Sequence, residues 1–259
     1  MFAIYKKEMR SYFINPIGYI YMGIFLALSA LVFCYTTFQS QSYSLSTYFY
    51  YMIFAFVILL PLLTMRSFAE ERKMRTEQLL LTAPVSITGM VLGKYLAAFT
   101  VFVSSVLLSC INLIPLLSVA GEEKAAAQYA SMAANIGPSA SMIVGALIGV
   151  ILIGAAFIAI GVFISALTDS QLAAAVSTIG VIVLMVVLGF VNAIGSDAEG
   201  TRLVSSYAMR TVIDWISVLS RFESFFMGKF DFAALFYYLS ISGVFLLLTV
   251  RVYQKRRWN

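Results

Sequence analysis

The sequence predicts an all-α, polytopic membrane protein with six transmembrane helices. Hydrophobic residues make up 61% of the 259 residues and charged residues only 11%, whereas a soluble domain uses about 25% charged residues to cover its surface. The charges are also unevenly distributed, because long uncharged runs alternate with short charged segments. A bilayer span needs about 20 apolar residues. The runs that provide this length are 11–65, 95–121, 125–168, 170–196 and 232–250.

Six spans follow from these runs, because the first run is long enough for two. Its middle, Gln39 to Ser44, is polar and indicates a turn between the two. The predicted spans are Pro16–Thr37, Tyr48–Met65, Gly89–Leu117, Met142–Leu167, Leu172–Val191 and Phe232–Tyr253.

The segment before the first span, Met1–Phe13, mixes apolar and charged side chains. This composition predicts a short helix that lies in the membrane interface, with Pro16 beginning the first span. We do not expect a cleavable signal peptide, because the first apolar run is too long for such a signal and lacks a small-residue cleavage pattern.

The basic residues predict the orientation of the chain, because cytoplasmic loops carry an excess of Lys and Arg. The side with more basic residues holds both termini, so we expect both termini in the cytoplasm of a cell-membrane protein. The net charge of +5 therefore reflects topology, and no nucleic-acid partner is expected. The richer side holds Lys6, Lys7, Arg10, Arg66, Arg72, Lys73, Arg75, Lys94, Arg251, Lys255, Arg256 and Arg257, and the other holds Lys124, Arg202, Arg210, Arg221 and Lys229.

A dense group of charges, Arg66–Glu77, lies between the second and third spans. It holds four basic and three acidic residues in twelve positions. We expect a charged helix from Arg66 to about Gln78, within a segment 66–84 that lies along the cytoplasmic face and ends at Pro84, because proline disfavours helix in the residue before it. A solvated loop that obeys the positive-inside rule is the alternative. Such a loop needs only Lys and Arg, so the interspersed glutamates favour contact with a partner.

Two further features concern packing. Apolar residues recur at helical spacing between Leu203 and Phe222, which predicts an amphipathic helix at the outer interface before the last span. An ordinary connecting helix packed on the bundle explains the same pattern.

The fourth span carries Gly145, Gly149, Gly154 and Gly161. Small residues at such spacing let helices approach closely, and a moving helix interface is the alternative explanation.

The residues offer little for catalysis. The chain has no histidine, the commonest general base and metal ligand, and no acidic or cysteine cluster has metal-ligand spacing. The acids lie at span boundaries, whereas ion-coupled transporters usually need ionisable groups inside spans. Asp169 is the nearest exception, in the turn expected at 168–171. The run Gly89–Tyr95 departs from a P-loop, because only three residues separate its glycines and Tyr95 follows Lys94. We expect no ATP, cofactor or metal on this chain.

Four segments carry a resemblance to a known family: Leu62–Arg66, Ala69–Arg72, Thr76–Val85 and Gly93–Tyr95. In these segments the sequence resembles the ABC-2 type permeases, the membrane subunits of one class of ATP-binding-cassette exporters. It is similar in particular to the gliding-motility-associated and copper-enzyme-maturation branch. That narrower likeness is carried by Tyr5–Glu8, Ser11–Phe13, Pro16–Tyr19, Ile164–Thr168, Arg221–Phe225, Gly228 and Arg256–Trp258.

The resemblance implies that the charged segment 66–84 is a coupling helix seated in a groove of the ATP-binding subunit. It implies a transporter, more an exporter than an importer, in which two copies of an ATPase carry ATP and Mg²⁺ and a second permease subunit completes the membrane part. Relatives often have Gly before the Thr-Glu pair, where this chain has Arg75. The residues implied in the ATPase contact are Glu70, Glu71, Arg72, Lys73, Thr76 and Glu77.

Two other classes of function compete with a permease. A non-transporting membrane sensor or assembly scaffold would also present a charged segment to a cytoplasmic partner. A secondary transporter is disfavoured because the predicted spans lack buried charge.

Overall fold

A computed structural model describes residues 1–39, 45–76, 86–118, 140–194, 217–218, 221–226 and 230–258. Within these ranges the chain is helical and contains no strand, which confirms the predicted all-α class. The helices are α1 Phe2–Ile14, α2 Ile17–Phe33, α3 Leu45–Thr64, α4 Ala69–Lys73, α5 Ile87–Ser109, α6 Ala140–Leu167, α7 Gln171–Ile194, α8 Glu223–Phe226 and α9 Phe232–Trp258.

Six segments in the described part of the chain are long and apolar enough to cross a membrane, which confirms the six predicted spans. A π-helix, Cys34–Gln39, prolongs α2, and a 3₁₀ turn, Cys110–Asn112, follows α5. The six segments are Ile17–Thr37, Thr47–Lys73, Ile87–Ser118, Ser141–Leu167, Gln171–Gly189 and Phe232–Arg257.

Helix α6 is the centre of the bundle. It packs against α3, α5, α7 and α9, and its side chains Ile153, Phe157 and Ile160 are fully buried. A helix that is apolar on every side is suited to this position, since neighbouring helices cover it all round. Large apolar side chains on α2, α7 and α9, such as Leu31, Leu184 and Phe236, are exposed instead and would face lipid.

Gly154 and Gly161 of α6 lie at close helix contacts, as the sequence predicts. A Cβ added at Gly154 would overlap the ring of Phe102 on α5, and one added at Gly161 would overlap the side chain of Thr64 on α3. Both neighbours are buried. The missing side chains therefore allow α6 to approach α3 and α5 closely.

Helix α1 is present where the sequence predicts a helix at Met1–Phe13. It packs against α2 and α5, and the first turns of α5 come so close that a Cβ at Gly93 would lie 3.2 Å from Ile4. Tyr12 is buried and its hydroxyl donates a hydrogen bond to the carbonyl of Leu63 at 3.2 Å. Burial raises the pKa of the Tyr12 phenol above its ordinary range, so the hydroxyl keeps the proton that it donates.

The predicted outer amphipathic helix between Leu203 and Phe222 lies outside the described residues, apart from 217–218 and 221–222. The predicted turn at 168–171 is confirmed, since α6 ends at Leu167 and α7 begins at Gln171.

The close contact at Gly161 leads to the first prediction. We expect Gly161→Ala to destabilise the protein by about 1–3 kcal/mol, because the added methyl group must displace Thr64, which is only 1% exposed. Gly180→Ala on α7 is the matched control, because nothing lies within 4 Å of the added Cβ there. Thermal unfolding of the detergent-solubilised variants measures both, and equal midpoints would contradict the packing role of Gly161.

Candidate functional site

The charged segment between the second and third spans forms the short helix α4, at one end of the bundle. We call this end the α4 end; α1, the first turns of α5, the last turn of α6 and the last turns of α9 meet there. The ring of Phe68, directly before α4, lies 4.7 Å from the ring of Tyr253 on α9. The same Phe68 is almost fully buried, so α4 begins inside the bundle.

The beginning of α4 is capped by a residue of α6. The first backbone N–H groups of a helix have no partner within the helix, and Phe68 at the N-cap position offers no side-chain acceptor. The hydroxyl of Ser165 accepts from the N–H groups of Phe68 at 3.1 Å and of Ala69 at 3.2 Å, and it donates to the carbonyl of Met65 at 3.2 Å. Ser165 is fully buried, so these bonds attach the start of α4 to α6.

The end of α4 is a Schellman motif. The N–H of Arg75 donates to the carbonyl of Arg72 at 3.0 Å and the N–H of Thr76 to that of Glu71 at 2.9 Å. Arg75 has a φ of 55°, the left-handed conformation for which this motif usually employs glycine. Glycine is also the residue that the family resemblance favours at this position.

The helix is therefore shorter than predicted. The sequence predicts a helix from Arg66 to about Gln78, but α4 ends at Lys73 because the left-handed Arg75 reverses the backbone direction. Residues 65–68 form a turn, and the rest of the predicted segment, 77–84, lies outside the described residues.

Arg72 connects α4 to the turn between α6 and α7. Its guanidinium donates to the carbonyls of Ala166 at 2.8 Å and Leu167 at 3.2 Å, and it forms an ion pair with Asp169 at 2.5 Å. The last carbonyls of a helix have no partner within the helix and carry its negative dipole end, so a cation there is stabilising. Arg72 thus caps α6.

Lys94 connects α4 to α1 and α5. Its ammonium lies 2.9 Å from a carboxylate oxygen of Glu8, 2.9 Å from one of Glu71 and 2.7 Å from the carbonyl of Ser67. The three contacts match the three protons that an ammonium donates. The side chain of Lys94 is 2% exposed, whereas those of Glu8 and Glu71 are each 16% exposed. An almost fully buried cation is therefore neutralised by two carboxylates from different helices.

Two ion pairs lie nearer the surface. Arg66 and Glu70 are four residues apart and form a bidentate ion pair, in which Nε donates to Oε2 at 2.8 Å. Lys7, 62% exposed, lies 3.4 Å from the carboxylate of Glu71. Exposed pairs of this second kind contribute little to stability.

The structure divides the six residues that the resemblance implies in the ATPase contact. Glu70, Glu71 and Arg72 are half-buried and engaged in the ion pairs above. Lys73 is exposed. Thr76 is half-buried with its hydroxyl 3.2 Å from the carbonyl of Glu71, and Glu77 lies outside the described residues.

The last residue of α4, Lys73, and the two residues after it, Met74 and Arg75, are exposed, and we call these three residues the tip. Met74 is 69% exposed, an unusual position for a large apolar side chain beside two cations. The exposure of Met74 has no signal in the sequence, because it depends on where the Schellman motif ends the helix.

Four residues at this site were missed by sequence reasoning: Glu8, Lys94, Ser165 and Asp169. Lys94 carried a usable signal, because a single lysine eight residues into an apolar helix requires a buried counter-ion. Asp169 carried a weaker signal as the lone acid between two spans. Ser165 carried none, since a serine in a membrane helix more often bonds its own backbone.

The glycine-containing run Gly89–Tyr95, near the start of the third span, is helical. Gly89 and Gly93 lie inside α5, whose N-terminus is capped by the hydroxyl of Ser86 accepting from the N–H of Gly89 at 3.3 Å. Lys94 is occupied by carboxylates. This run is a membrane helix and not a phosphate-binding loop.

These features define a multi-pass helical membrane protein with a charged helix exposed at one end. Residues 14–252 match the model of the ABC-2 family transporter protein, and the chain belongs to this family. It is a membrane permease component of a transporter. No curated protein matches the chain.

The burial of Lys94 leads to a second prediction. We expect Lys94→Met to destabilise the protein by about 3–5 kcal/mol, because it leaves two carboxylates without their buried cation. Lys7→Met is the control: it removes an exposed cation from the same Glu71 and should cost less than about 1 kcal/mol. Thermal unfolding in detergent compares them, and similar losses for both variants would contradict the central role of Lys94.

The strained end of α4 leads to a third prediction. Arg75→Gly should stabilise the end of α4 by about 0.5–1 kcal/mol, because glycine adopts a φ of 55° without steric cost. Arg75→Ala keeps the Cβ and serves as the control without this gain. Amide hydrogen exchange of Arg75 and Thr76 reports the local stability, and faster exchange in the glycine variant would refute the interpretation.

Proposed function

We propose that this chain is the permease subunit of an ATP-driven exporter, and that α4 is the coupling helix that docks on a separate ATP-binding subunit. In this proposal the permease dimerises and pairs with two ATPase copies, which hold ATP and Mg²⁺. Both termini and α4 face the cytoplasm, and the complex lies in the cell membrane. The narrower likeness to the gliding-motility and copper-enzyme-maturation branch belongs to the same proposal.

The observation that carries the proposal is the combination of a fastened helix and an exposed tip. Both ends of α4 are hydrogen-bonded to α6, through Ser165 and Arg72. A displacement of α4 would therefore be transmitted to the bundle. The tip of α4 remains free of these ion pairs. A short rigid helix with an exposed end is what transmission from a soluble motor subunit requires.

The chemistry of the tip indicates the surface that would receive it. Lys73 and Arg75 supply two cations, and Met74 supplies a polarizable apolar side chain that adapts to irregular grooves. We therefore expect the ATPase groove to be acidic at its rim and apolar at its centre. Glu70, Glu71 and Arg72, by contrast, form ion pairs within the permease and would not contact the ATPase.

ATP-driven closure of the two ATPases would move both coupling helices and switch the membrane part between inward- and outward-facing states. In this proposal ATP binds to the partner subunit. The run Gly89–Tyr95 of this chain is part of a membrane helix and does not form a phosphate-binding loop. The cargo would pass between the permease subunits.

Reversal of the tip charges tests the docking. We expect the triple variant Lys73→Glu, Met74→Asp, Arg75→Glu to lose at least about tenfold of its affinity for the ATP-binding subunit, because charged and apolar anchors at an interface centre carry most of its energy. Co-purification of the native complex in mild detergent, with the partner identified by mass spectrometry and by its ATP hydrolysis, measures the loss.

Lys255→Glu is the control variant, because it reverses an exposed charge near the end of α9 and should retain the partner. If the unmutated chain brings down no ATP-binding-cassette subunit, the permease proposal fails and a membrane scaffold is favoured. If the triple variant binds the ATPase as well as the unmutated chain, the tip is not the docking surface.

A further inference from the structure

Both ends of α4 are attached to the same short stretch of chain, residues 165–169. Ser165 accepts hydrogen bonds from the start of α4, and Arg72 near its end binds the carbonyls of Ala166 and Leu167 and the carboxylate of Asp169. Two separate attachments restrict rotation as well as translation. Helix α4 is therefore seated on the last turn of α6 as one unit.

This attachment bypasses the covalent connections of α4. Along the chain α4 joins α3 and, through 77–85, α5. The bonds of Ser165 and Arg72 add a direct link to α6, the central helix, which packs against α3, α5, α7 and α9. A displacement of α4 would thus reach the middle of the bundle without passing along the neighbouring spans.

The same attachment continues into α7. Asp169 lies two residues before α7, and the adjacent Ser170 caps that helix by accepting from the N–H of Ala173 at 3.1 Å. The side chain of Asp169 is 85% exposed, whereas that of Arg72 is 15% exposed. Arg72 thus holds two carbonyls of α6 and the residue that precedes the cap of α7.

We propose that Arg72 is a positioning residue that passes the displacement of α4 directly into α6 and α7. This inference rests on the proposed coupling role of α4, and it assigns Arg72 to transmission within the permease instead of contact with the ATPase. The fork of the guanidinium suits this role, because one planar group can hold the α6 carbonyls and a carboxylate in fixed relative positions. A glutamine at this position cannot form the ion pair.

The alternative is that Arg72 only stabilises the bundle. Removal of a merely stabilising residue would lower the unfolding temperature but leave the response of α7 to ATP unchanged in the complex that remains folded. The experiment must therefore record movement of α7 while the ATPase is bound. Stability and ATPase content are measured in the same samples.

Two spin labels provide this measurement. One is attached to Cys34, directly after α2, and the other to the variant Leu184→Cys on α7; both positions are exposed. The other native cysteine is removed by Cys110→Ala. Double electron–electron resonance on the complex with its ATPase, in lipid nanodiscs, compares the label distance without nucleotide and with ATP plus vanadate. We expect the unmutated complex to show an ATP-dependent shift. Arg72→Gln should lose this shift while the ATPase stays bound and hydrolyses ATP.

Two further variants separate the possible outcomes. Asp169→Asn removes only the exposed carboxylate partner and should reduce the shift, so it tests the inference even if Arg72→Gln does not assemble. Lys7→Gln removes the ion pair between α1 and Glu71 of α4. This pair does not involve α6 or α7, so the variant should leave the shift intact.

An unchanged shift in Arg72→Gln, or in Asp169→Asn where only that variant assembles, would overturn the inference and leave the proposed function standing. An unmutated complex that contains no ATPase, or that shows no ATP-dependent shift, would overturn the proposed function and the inference together. Loss of the shift in Lys7→Gln to the same degree as in Arg72→Gln would also contradict the inference, because any weakening of α4 would then suffice.

Discussion

The buried ammonium of Lys94 organises the end of the bundle on which the proposed function depends. A cation that is 2% exposed has lost almost all of its hydration, and such a loss is tolerated only where opposite charges and hydrogen bonds replace the water. The replacement comes from Glu8 of α1, Glu71 of α4 and the carbonyl of Ser67. Three helices are therefore held at one point by the requirement of a single side chain.

This requirement also decides which charges of α4 are available to a partner. Glu71 is committed to Lys94 and Arg72 to the end of α6, so the side of α4 that faces the bundle is electrically satisfied by the chain itself. Arg66 and Glu70 pair with each other, and among the described residues of the segment Lys73 and Arg75 are the exposed charges. A charged segment that looks uniform in sequence is thus divided by the fold into an inner face that holds the helix and a tip that is free to dock.

The spans could be predicted from the sequence, but the division of the charged segment into an inner face and the tip could not. Apolar runs of membrane length are a strong signal, so the six spans, the turn at 168–171 and the close packing at Gly154 and Gly161 could all be predicted. The pairing of Lys94 with Glu8 depends on contacts between positions 86 residues apart, and such contacts leave no periodic pattern. The length of α4 was overestimated for a related reason, since the left-handed turn that ends it occurs at an arginine and not at the glycine that would signal it.

Arg75 connects the local strain with the proposed docking. A non-glycine residue in the left-handed region costs about 1–2 kcal/mol, and at this exposed position nothing in the described packing of the bundle requires a side chain. Glycine would form the same Schellman motif at lower cost. A strained residue of this kind is expected where its side chain serves a binding function. Arg75 is exposed at the tip beside Lys73 and Met74, so the proposed contact with the ATPase is the one that would offset the strain. The backbone geometry of Arg75 and the exposure of Met74 therefore support the same docking surface through independent physical arguments, one from steric strain and one from solvation.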